Sequence, residues 1–484
     1  MRGGGGLYDR VVAGLTLTPR RDLTLVHATS LVVGIAIGTG VFLKSATMAQ
    51  LLPSPLAVLA AWLVAGLVAL LAALCFAELG ALLPDAGGEY VYLRAAYGQI
   101  PAFLFGCNSF VLGGASIAAY GAAVAIFIAD IHPLGGPWWS ATLPLPGGGV
   151  HLGVGPRELI ALAVIGFFAA INCAGVALGG RVQTLLTLIK LAAILAVAGG
   201  VWALSGTYGA GYLLGRGAGP HGAAGFGAAV FAALWAYSGW QYLPMAASEV
   251  REPQRTLPIA IIGGTLLVLI LYLLINGAYL WALPYAVVAA ANSTAHPSAP
   301  SVAARAVQTF LGTRALAVAA LIFLISTIGS LNGTILTRAR VTYAAARDGL
   351  FFARFGRLSP VSRVPVTSLL WLCAWGALLA LSGTFDQLTN MAVMSYALFW
   401  IPVNLAVLVL RRRLPQAPRP FRVPGYPWVP LLVTLVMLGI VLSAFLTTPR
   451  DSCATVLLIL LGLLLYPRFR RERARLTATP APRA

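Results

Sequence analysis

Gly34-Ile-Ala-Ile-Gly-Thr-Gly-Val-Phe42 sets three glycines, Gly34, Gly38 and Gly40, within seven residues of an apolar run that starts near Leu23. The run is long enough to cross a bilayer, which takes about 20 mostly apolar residues. Each glycine weakens such a helix by about 1 kcal/mol relative to alanine, and lipid offers no partner to backbone groups that a break releases. A break at that depth is tolerated where it lines a cavity or meets a ligand. Two readings of the stretch stand side by side. Gly34 and Gly38 form a GxxxG pair suited to helix packing, or Gly38-Thr39-Gly40 is an unwound hinge whose free N–H groups hold an anionic substrate group.

The rest of the chain favours a membrane setting. Its 484 residues are 59% hydrophobic and 9% charged, with a mean hydropathy of +0.88, against about 25% charged residues in soluble domains. Basic residues outnumber acidic ones by 32 to 13. The arginines punctuate the gaps between apolar runs and form no face, which is a topology signal and gives no reason to expect nucleic acid. Cys75, Cys107, Cys173, Cys373 and Cys453 lie mostly within apolar runs without CxxC or metal spacing, and read as small packing residues. The first apolar run continues past any small-residue cleavage site, so it is expected to stay as an anchor.

Twelve candidate spans follow: Leu23–Leu43, Leu56–Leu83, Pro101–Ile131, Leu159–Leu178, Val182–Leu204, Gly222–Ala247, Leu257–Leu283, Ala315–Ala339, Val366–Ser382, Leu388–Leu410, Val429–Leu446 and the short Ala454–Leu465. With the N-terminus in the cytoplasm, 25 arginines fall on the cytoplasmic side. Five fall outside: Arg157, Arg216, Arg305, Arg314 and Arg450. That bias supports twelve spans with both termini inside, since an odd count would scramble it. The larger outer loops are Ile131–Pro156, rich in Gly, Pro and Trp, and Pro284–Gly312, where Ser301–Phe310 reads as a short helix. The tail after Arg470 has a disordered composition.

A second interrupted span bears on the first. Span six carries Trp235-Ala-Tyr-Ser-Gly-Trp240, a helix breaker among three aromatic residues at mid-depth. Paired Gly-interrupted segments in matching halves of a chain point to a transport site; an aromatic packing cluster or interfacial belt is the alternative. Unpaired N–H groups at the start of a second half-helix suit an anion. Unpaired carbonyls at the end of a first half-helix suit an ammonium. Two such breaks crossing at the midplane would hold both ends of an α-amino acid zwitterion.

Lys190 is the third signal, nine residues past Arg181 and thus roughly 13 Å deep at about 1.5 Å per residue. Snorkelling relieves part of that depth. Otherwise a buried amine finds a partner, shifts its pKa or serves transport, and Ser326, Thr327 and Ser330 of span eight are the expected surroundings. An amine there could replace a bound sodium ion and could carry a proton. Glu78 and Glu249 read as gate or interface residues in preference to proton carriers. The histidines are scattered, and no metal-spaced cluster, GxSxG or Walker motif occurs, so neither an enzyme nor a metal or cofactor is expected.

Ordered motifs then carry a resemblance. They are Ile37-Gly-Thr-Gly-Val-Phe42; Glu78-Leu-Gly with Pro84-Asp-Ala-Gly-Gly-Glu-Tyr-Val-Tyr92; Trp235–Trp240; Ser248-Glu-Val-Arg-Glu-Pro-Gln-Arg-Thr-Leu-Pro258; Tyr343-Ala-Ala-Ala-Arg-Asp-Gly349; and Pro420-Phe-Arg-Val-Pro-Gly-Tyr-Pro427. Together they make the chain similar to the amino acid–polyamine–organocation transporters, in particular the L-type amino acid transporter branch and its bacterial relatives. The resemblance implies an all-α integral membrane protein of twelve helices working by alternating access. Ten helices would form a five-plus-five inverted-repeat bundle, with helices one and six unwound at mid-membrane and two more following.

The expected division is a cytoplasmic tail over 1–22, a first repeat over 23–205 and a second over 222–410. A cytoplasmic connection over 411–428, two helices over 429–467 and a cytoplasmic tail over 468–484 complete it.

By the same resemblance Gly38, Thr39 and Gly40 take the substrate carboxylate, and carbonyls of Trp235, Ala236 and Ser238 take the amino group. Ala36, Ile37, Tyr237 and Gly239 complete the pocket, Trp235 is the gate, and Lys190 stands at the second sodium position. Loop Ile131–Pro156 lacks the cysteine that joins animal members to a heavy subunit, so no disulfide-linked partner is expected. Ala36 sits where many members have a larger aliphatic, and Lys44 where proline is common.

The expectation is a sodium-independent plasma-membrane permease for L-amino acids, neutral because no mid-span acid is available to a cationic side chain, either exchanging or proton-coupled. The alternatives are a non-transporting amino acid receptor, a membrane enzyme, and a permease for cationic amino acids or polyamines.

Overall fold

A computed structural model describes residues 17–145, 148–204, 213, 222–293, 295–296, 299–381 and 385–471. The expected terminal tails therefore lie largely outside the described residues. Among the described residues ten helices are long and apolar enough to cross a membrane, and two shorter apolar ones cover Ala224–Leu234 and Val366–Ala380. The protein is a multi-pass membrane protein.

The first span is two helices, α1 (Leu25–Ala36) and α2 (Gly40–Leu51), separated by residues 37–39. Thr24 caps α1: its hydroxyl accepts from the His27 N–H while His27 Nδ1 accepts from the Thr24 N–H, closing a reciprocal box at the helix start. Ser54 and a first-position proline start α3 (Pro55–Leu82), where the missing proline N–H costs nothing. A short helix α4 (Glu89–Tyr97) precedes α5 (Gln99–Ile131). Then comes an antiparallel hairpin, β1 (Trp139–Leu145) with β2 (Gly148–Val154), in a loop read from sequence only as Gly-, Pro- and Trp-rich.

Helices α6 (Pro156–Ala174) and α7 (Val176–Leu204) follow. Because α7 begins at Val176, six residues earlier than expected, Lys190 sits near the middle of a 29-residue helix. Its distance from the helix start is about 21 Å at 1.5 Å per residue.

The sixth span is also interrupted. Helix α8 (Ala223–Ala236) gives way to turns over 237–242 and then to a 3₁₀ segment, Leu243–Glu249. Next come α9 (Pro253–Ala282), a small α10 (Tyr285–Ala289), α11 (Val302–Leu311) with Ser301 as its cap, and α12 (Ala315–Arg347). Helix α11 is the short helix that loop Pro284–Gly312 leads one to expect. Helices α13 (Val366–Ala380), α14 (Phe385–Arg413), α15 (Trp428–Thr447) and α16 (Pro449–Leu461) complete the chain. Ser382, the expected end of span nine, lies outside the described residues. Lys44 falls inside α2, which runs on to Leu51, and not at the end of a span.

Helix α3 packs on α9, α5 on α12, and α1 lies against α7, α9 and α12. The buried core is mostly Ala, Leu, Ile, Val and aromatic side chains, with large leucines left on the outer surface, as expected where lipid covers the exterior.

The arginine-rich end of the bundle is tied by charge. Arg340 makes a two-pronged pair with Glu249, at 2.9 and 3.1 Å, with both side chains 1% exposed. Glu78 accepts from Arg411 at 2.8 and 2.6 Å and from the Val423 N–H at 2.7 Å. Leu23 bridges to Val250: its N–H donates to the Glu249 carbonyl and its carbonyl accepts from the Arg251 N–H. Both acids expected at a gate or interface are thus held in ion pairs at this end. Removing one partner of a buried pair strands the other charge, at a cost of about 3–5 kcal/mol. Glu249→Ala is expected to lower the unfolding midpoint in detergent strongly, whereas replacing both Glu249 and Arg340 by Met recovers most of that loss.

Candidate substrate site

The two interruptions touch. A Cβ placed on Gly239 would lie 2.5 Å from the Ala36 nitrogen and 2.6 Å from its Cβ, so only a glycine at 239 lets the second break approach the first this closely. Tyr272, from α9, spans both. Its hydroxyl lies 2.8 Å from the Ala36 carbonyl and 2.9 Å from the Ala236 carbonyl, its single proton shared between the last carbonyls of α1 and α8. Trp62 packs edge-on against both Tyr272 and Tyr237, at ring-centroid distances of 5.5 and 5.8 Å, and Tyr237 lies tilted against Tyr272 at 4.9 Å. The Tyr237 hydroxyl donates to the Trp62 carbonyl at 3.0 Å.

At the first break the main chain turns sharply. The Ile37 N–H still donates to Val33, but the Gly38 N–H folds back on the Ala36 carbonyl at 2.8 Å. Among the described residues no acceptor reaches the N–H groups of Thr39, Gly40 or Val41. These open donors sit at the start of α2, where the helix dipole favours negative charge. The open set is thus shifted one residue along from Gly38-Thr39-Gly40, because the Gly38 donor is already satisfied.

The carbonyls released at the end of α1 meet Lys190. Its ammonium donates to the Gly34 carbonyl, to the Ile37 carbonyl at 2.9 Å and to Ser330 Oγ at 3.4 Å. Ser326 Oγ donates to the Ile37 carbonyl at 2.7 Å and lies 3.4 Å from that of Gly38. Lys190, Ser326 and Ser330 therefore converge on the break. Thr327 does not join them: its hydroxyl donates to the Phe323 carbonyl of its own helix. Gly329 leaves room for the lysine, since a Cβ there would lie 2.8 Å from Nζ.

At the second break the Gly239 N–H donates to Gln241 Oε1 at 2.9 Å, and Gln241 Nε2 donates to Ser238 Oγ at 2.7 Å. The Ala236 carbonyl is occupied by Tyr272. The carbonyl of Ser238 has no donor among the described residues. Trp235 is on α8, and its side chain lies outside the described part, so the gate reading has no geometry here.

Tyr272 and Gln241 were not singled out from sequence; a tyrosine at mid-span, after the aliphatic run Leu266–Leu271 of α9, was the available signal. A buried amide chain also went unread. Asn172 donates to Asn332 at 2.9 Å, Asn332 to Gln183 at 2.8 Å, and Thr187 to the Ser30 carbonyl of α1 at 3.0 Å. No group of three or more His, Cys, Asp or Glu side chains is positioned to hold a metal among the described residues.

Comparison with known proteins bears on what two joined breaks and a buried lysine belong to. The amino acid permease family matches residues 23–465. The chain belongs to that family. Within it the chain is an L-type-like member of the amino acid–polyamine–organocation superfamily. It is 30% identical over 462 residues to the serine/threonine exchanger SteT of Bacillus subtilis (strain 168), covering 94% of this chain and 98% of that protein. The human b(0,+)-type amino acid transporter 1 is 30% identical over 93% of this chain and 88% of its own. The human cystine/glutamate transporter is 27% identical over 93% and 85%. These relatives are amino acid transporters and exchangers, and the family's activity is amino acid transport.

The close approach at Gly239 makes a direct test. Gly239→Ala drives a methyl into the Ala36 backbone and is expected to abolish amino acid uptake. Gly227→Ala, on α8 with nothing within 4 Å of its added Cβ, is expected to keep it. Tyr272→Phe removes the shared hydrogen bond and is expected to lower uptake by about tenfold.

Proposed function

We propose that this protein is a sodium-independent exchanger of neutral L-amino acids in the plasma membrane. It has twelve spans in a five-plus-five inverted repeat plus two, both termini cytoplasmic, and spans one and six broken at mid-membrane. The observation that carries this reading is the Lys190 ammonium on the Gly34 and Ile37 carbonyls and Ser330 Oγ. Those oxygens are hard donors of the kind that would ring a sodium ion, and a fixed cation already sits among them.

The ammonium has three N–H donors and three acceptors, so its charged form is fully satisfied. A lysine held on three acceptors supports a fixed brace for the break in preference to a mobile proton carrier, and hence exchange in preference to proton symport. The exchanger named among the relatives points the same way.

The open N–H groups of Thr39, Gly40 and Val41 take the substrate carboxylate, with Gly38 giving the turn its shape. Carbonyls of Trp235 and Ser238 take the ammonium, and Ala36, Ile37, Ala236, Tyr237 and Gly239 form the walls. Trp235 closes the site from outside. Support for the repeat comes from helices five spans apart packing together, α3 on α9 and α5 on α12. The arginine bias supports the orientation. No disulfide-linked heavy subunit is proposed, because loop Ile131–Pro156 has no cysteine.

Reconstituted into liposomes, the protein is expected to take up labelled neutral amino acid when unlabelled amino acid is inside, equally in sodium and in choline, without acceleration by an imposed pH gradient. Sodium-stimulated uptake contradicts the lysine assignment, and uptake into empty liposomes driven by a proton gradient contradicts exchange. Lys190→Met, which strands the carbonyls in a water-poor interior, is expected to reduce uptake by at least about a hundredfold.

A further inference from the structure

Arg338, on α12, is a buried arginine (2% exposed) to which the transport reading assigns no role. Its Nη2 donates to the Tyr242 hydroxyl at 3.0 Å and to the Tyr396 hydroxyl, and its guanidinium carbon lies 5.0 and 4.7 Å from those two ring centroids. Tyr396 is fixed in turn by Ser116 at 2.6 Å. The site is shaped for the guanidinium: a Cβ on Gly113 would stand 2.9 Å from Nη1. Aromatic faces and hydroxyls stabilise a buried cation without cancelling its charge.

Among the described residues no carboxylate ion-pairs with Arg338, and its Nε is buried without a partner. Glu89 is the carboxyl that interacts with it electrostatically. That group lies outside the spans, at the start of α4, and burial pushes it up to about 8, so at neutral pH it is mostly protonated. Arginine itself does not deprotonate in proteins. The positive charge therefore stands unneutralised.

It also stands beside the second break, whose turns over 237–242 include Tyr242. The Tyr242 N–H donates to the Gly239 carbonyl at 3.3 Å, and Gly239 is the residue pressed against Ala36. Along α12, Arg338 is eight residues beyond Ser330, but long helical side chains point back toward the helix start, which returns the guanidinium toward the level of the breaks. Tyr120 is close enough to both Tyr242 and Tyr272 to interact with them electrostatically, linking the arginine cluster to the hydroxyl that joins the breaks.

We propose that Arg338 is a specificity-determining residue: its unneutralised guanidinium bars amino acids with cationic side chains from the site. The inference rests on the amino acid-binding reading above and adds the substrate class that the site rejects. Even two unit charges about 10 Å apart repel, at an effective dielectric of about 20, strongly enough to weaken binding by about tenfold.

Size-matched pairs test it in exchange-loaded proteoliposomes. Lysine is compared with norleucine, and 2,4-diaminobutyrate with homoserine, as competitors of labelled alanine. In the wild type the cationic member of each competing pair is expected to be at least about tenfold weaker. In Arg338→Met the gap closes to within about threefold, while Arg338→Lys, which keeps the charge, preserves it. A wild type that accepts the cationic member as well as its neutral match overturns the proposal even if no variant folds, and so does Arg338→Met with the full gap. Absence of any amino acid uptake or competition overturns instead the reading of the site, and the inference with it.

Discussion

The ammonium of Lys190 on the carbonyls of Gly34 and Ile37 is the contact on which the first break depends. A membrane helix that stops at mid-depth leaves carbonyls with no intrahelical donor and amides with no acceptor, each costly in a water-poor interior. The lysine satisfies the carbonyl side from α7, Ser326 and Ser330 assist from α12, and the amides of Thr39, Gly40 and Val41 stay open on the other side. One half of the break is thereby satisfied by the protein's own side chains, and the other keeps its donors open among the described residues. At the second break Gln241 and Tyr272 satisfy some groups, and the Ser238 carbonyl stays open among the described residues.

Tyr272 makes the two breaks one structure. Its hydroxyl reaches a carbonyl from each, so a movement of one half-helix relative to the other is registered by a single proton. The amide chain from Asn172 through Asn332 to Gln183 lies along the face of α1 that meets α7 and α12.

Hydropathy and charge bias made most of the helices legible, since twenty apolar residues and arginine-marked ends are local signals. The two broken spans were legible for the same reason: glycines at Gly38 and Gly40 and the Trp235–Trp240 cluster are visible without tertiary structure. Gly34 and Gly38 also proved different in kind. A Cβ on Gly34 would meet Thr187 Oγ1 at 2.1 Å, whereas one on Gly38 meets only ordinary contact with Ser330 at 3.7 Å. Close packing against α7 therefore explains Gly34, and the turn explains Gly38. Less legible were features made by pairs far apart in the chain. The hairpin Trp139–Leu145 with Gly148–Val154 sits in a loop whose composition signals only irregularity. Tyr272 and Gln241 reach the breaks through tertiary contacts that sequence pattern alone does not juxtapose. Thr327 was grouped with Ser326 and Ser330 by proximity in sequence, but helical rotation turns its hydroxyl back onto its own backbone.

Two-ended recognition of a zwitterion by the two breaks is the central claim, and it is separable from the question of which side chain is carried. Competition against labelled alanine in proteoliposomes by alanine, propionate and ethylamine tests it most directly, since the two analogues each keep one charged end. Alanine alone is expected to compete, with either analogue at least about a hundredfold weaker, because each leaves one set of buried groups unpaired. Competition by propionate or ethylamine as strong as that by alanine would contradict it.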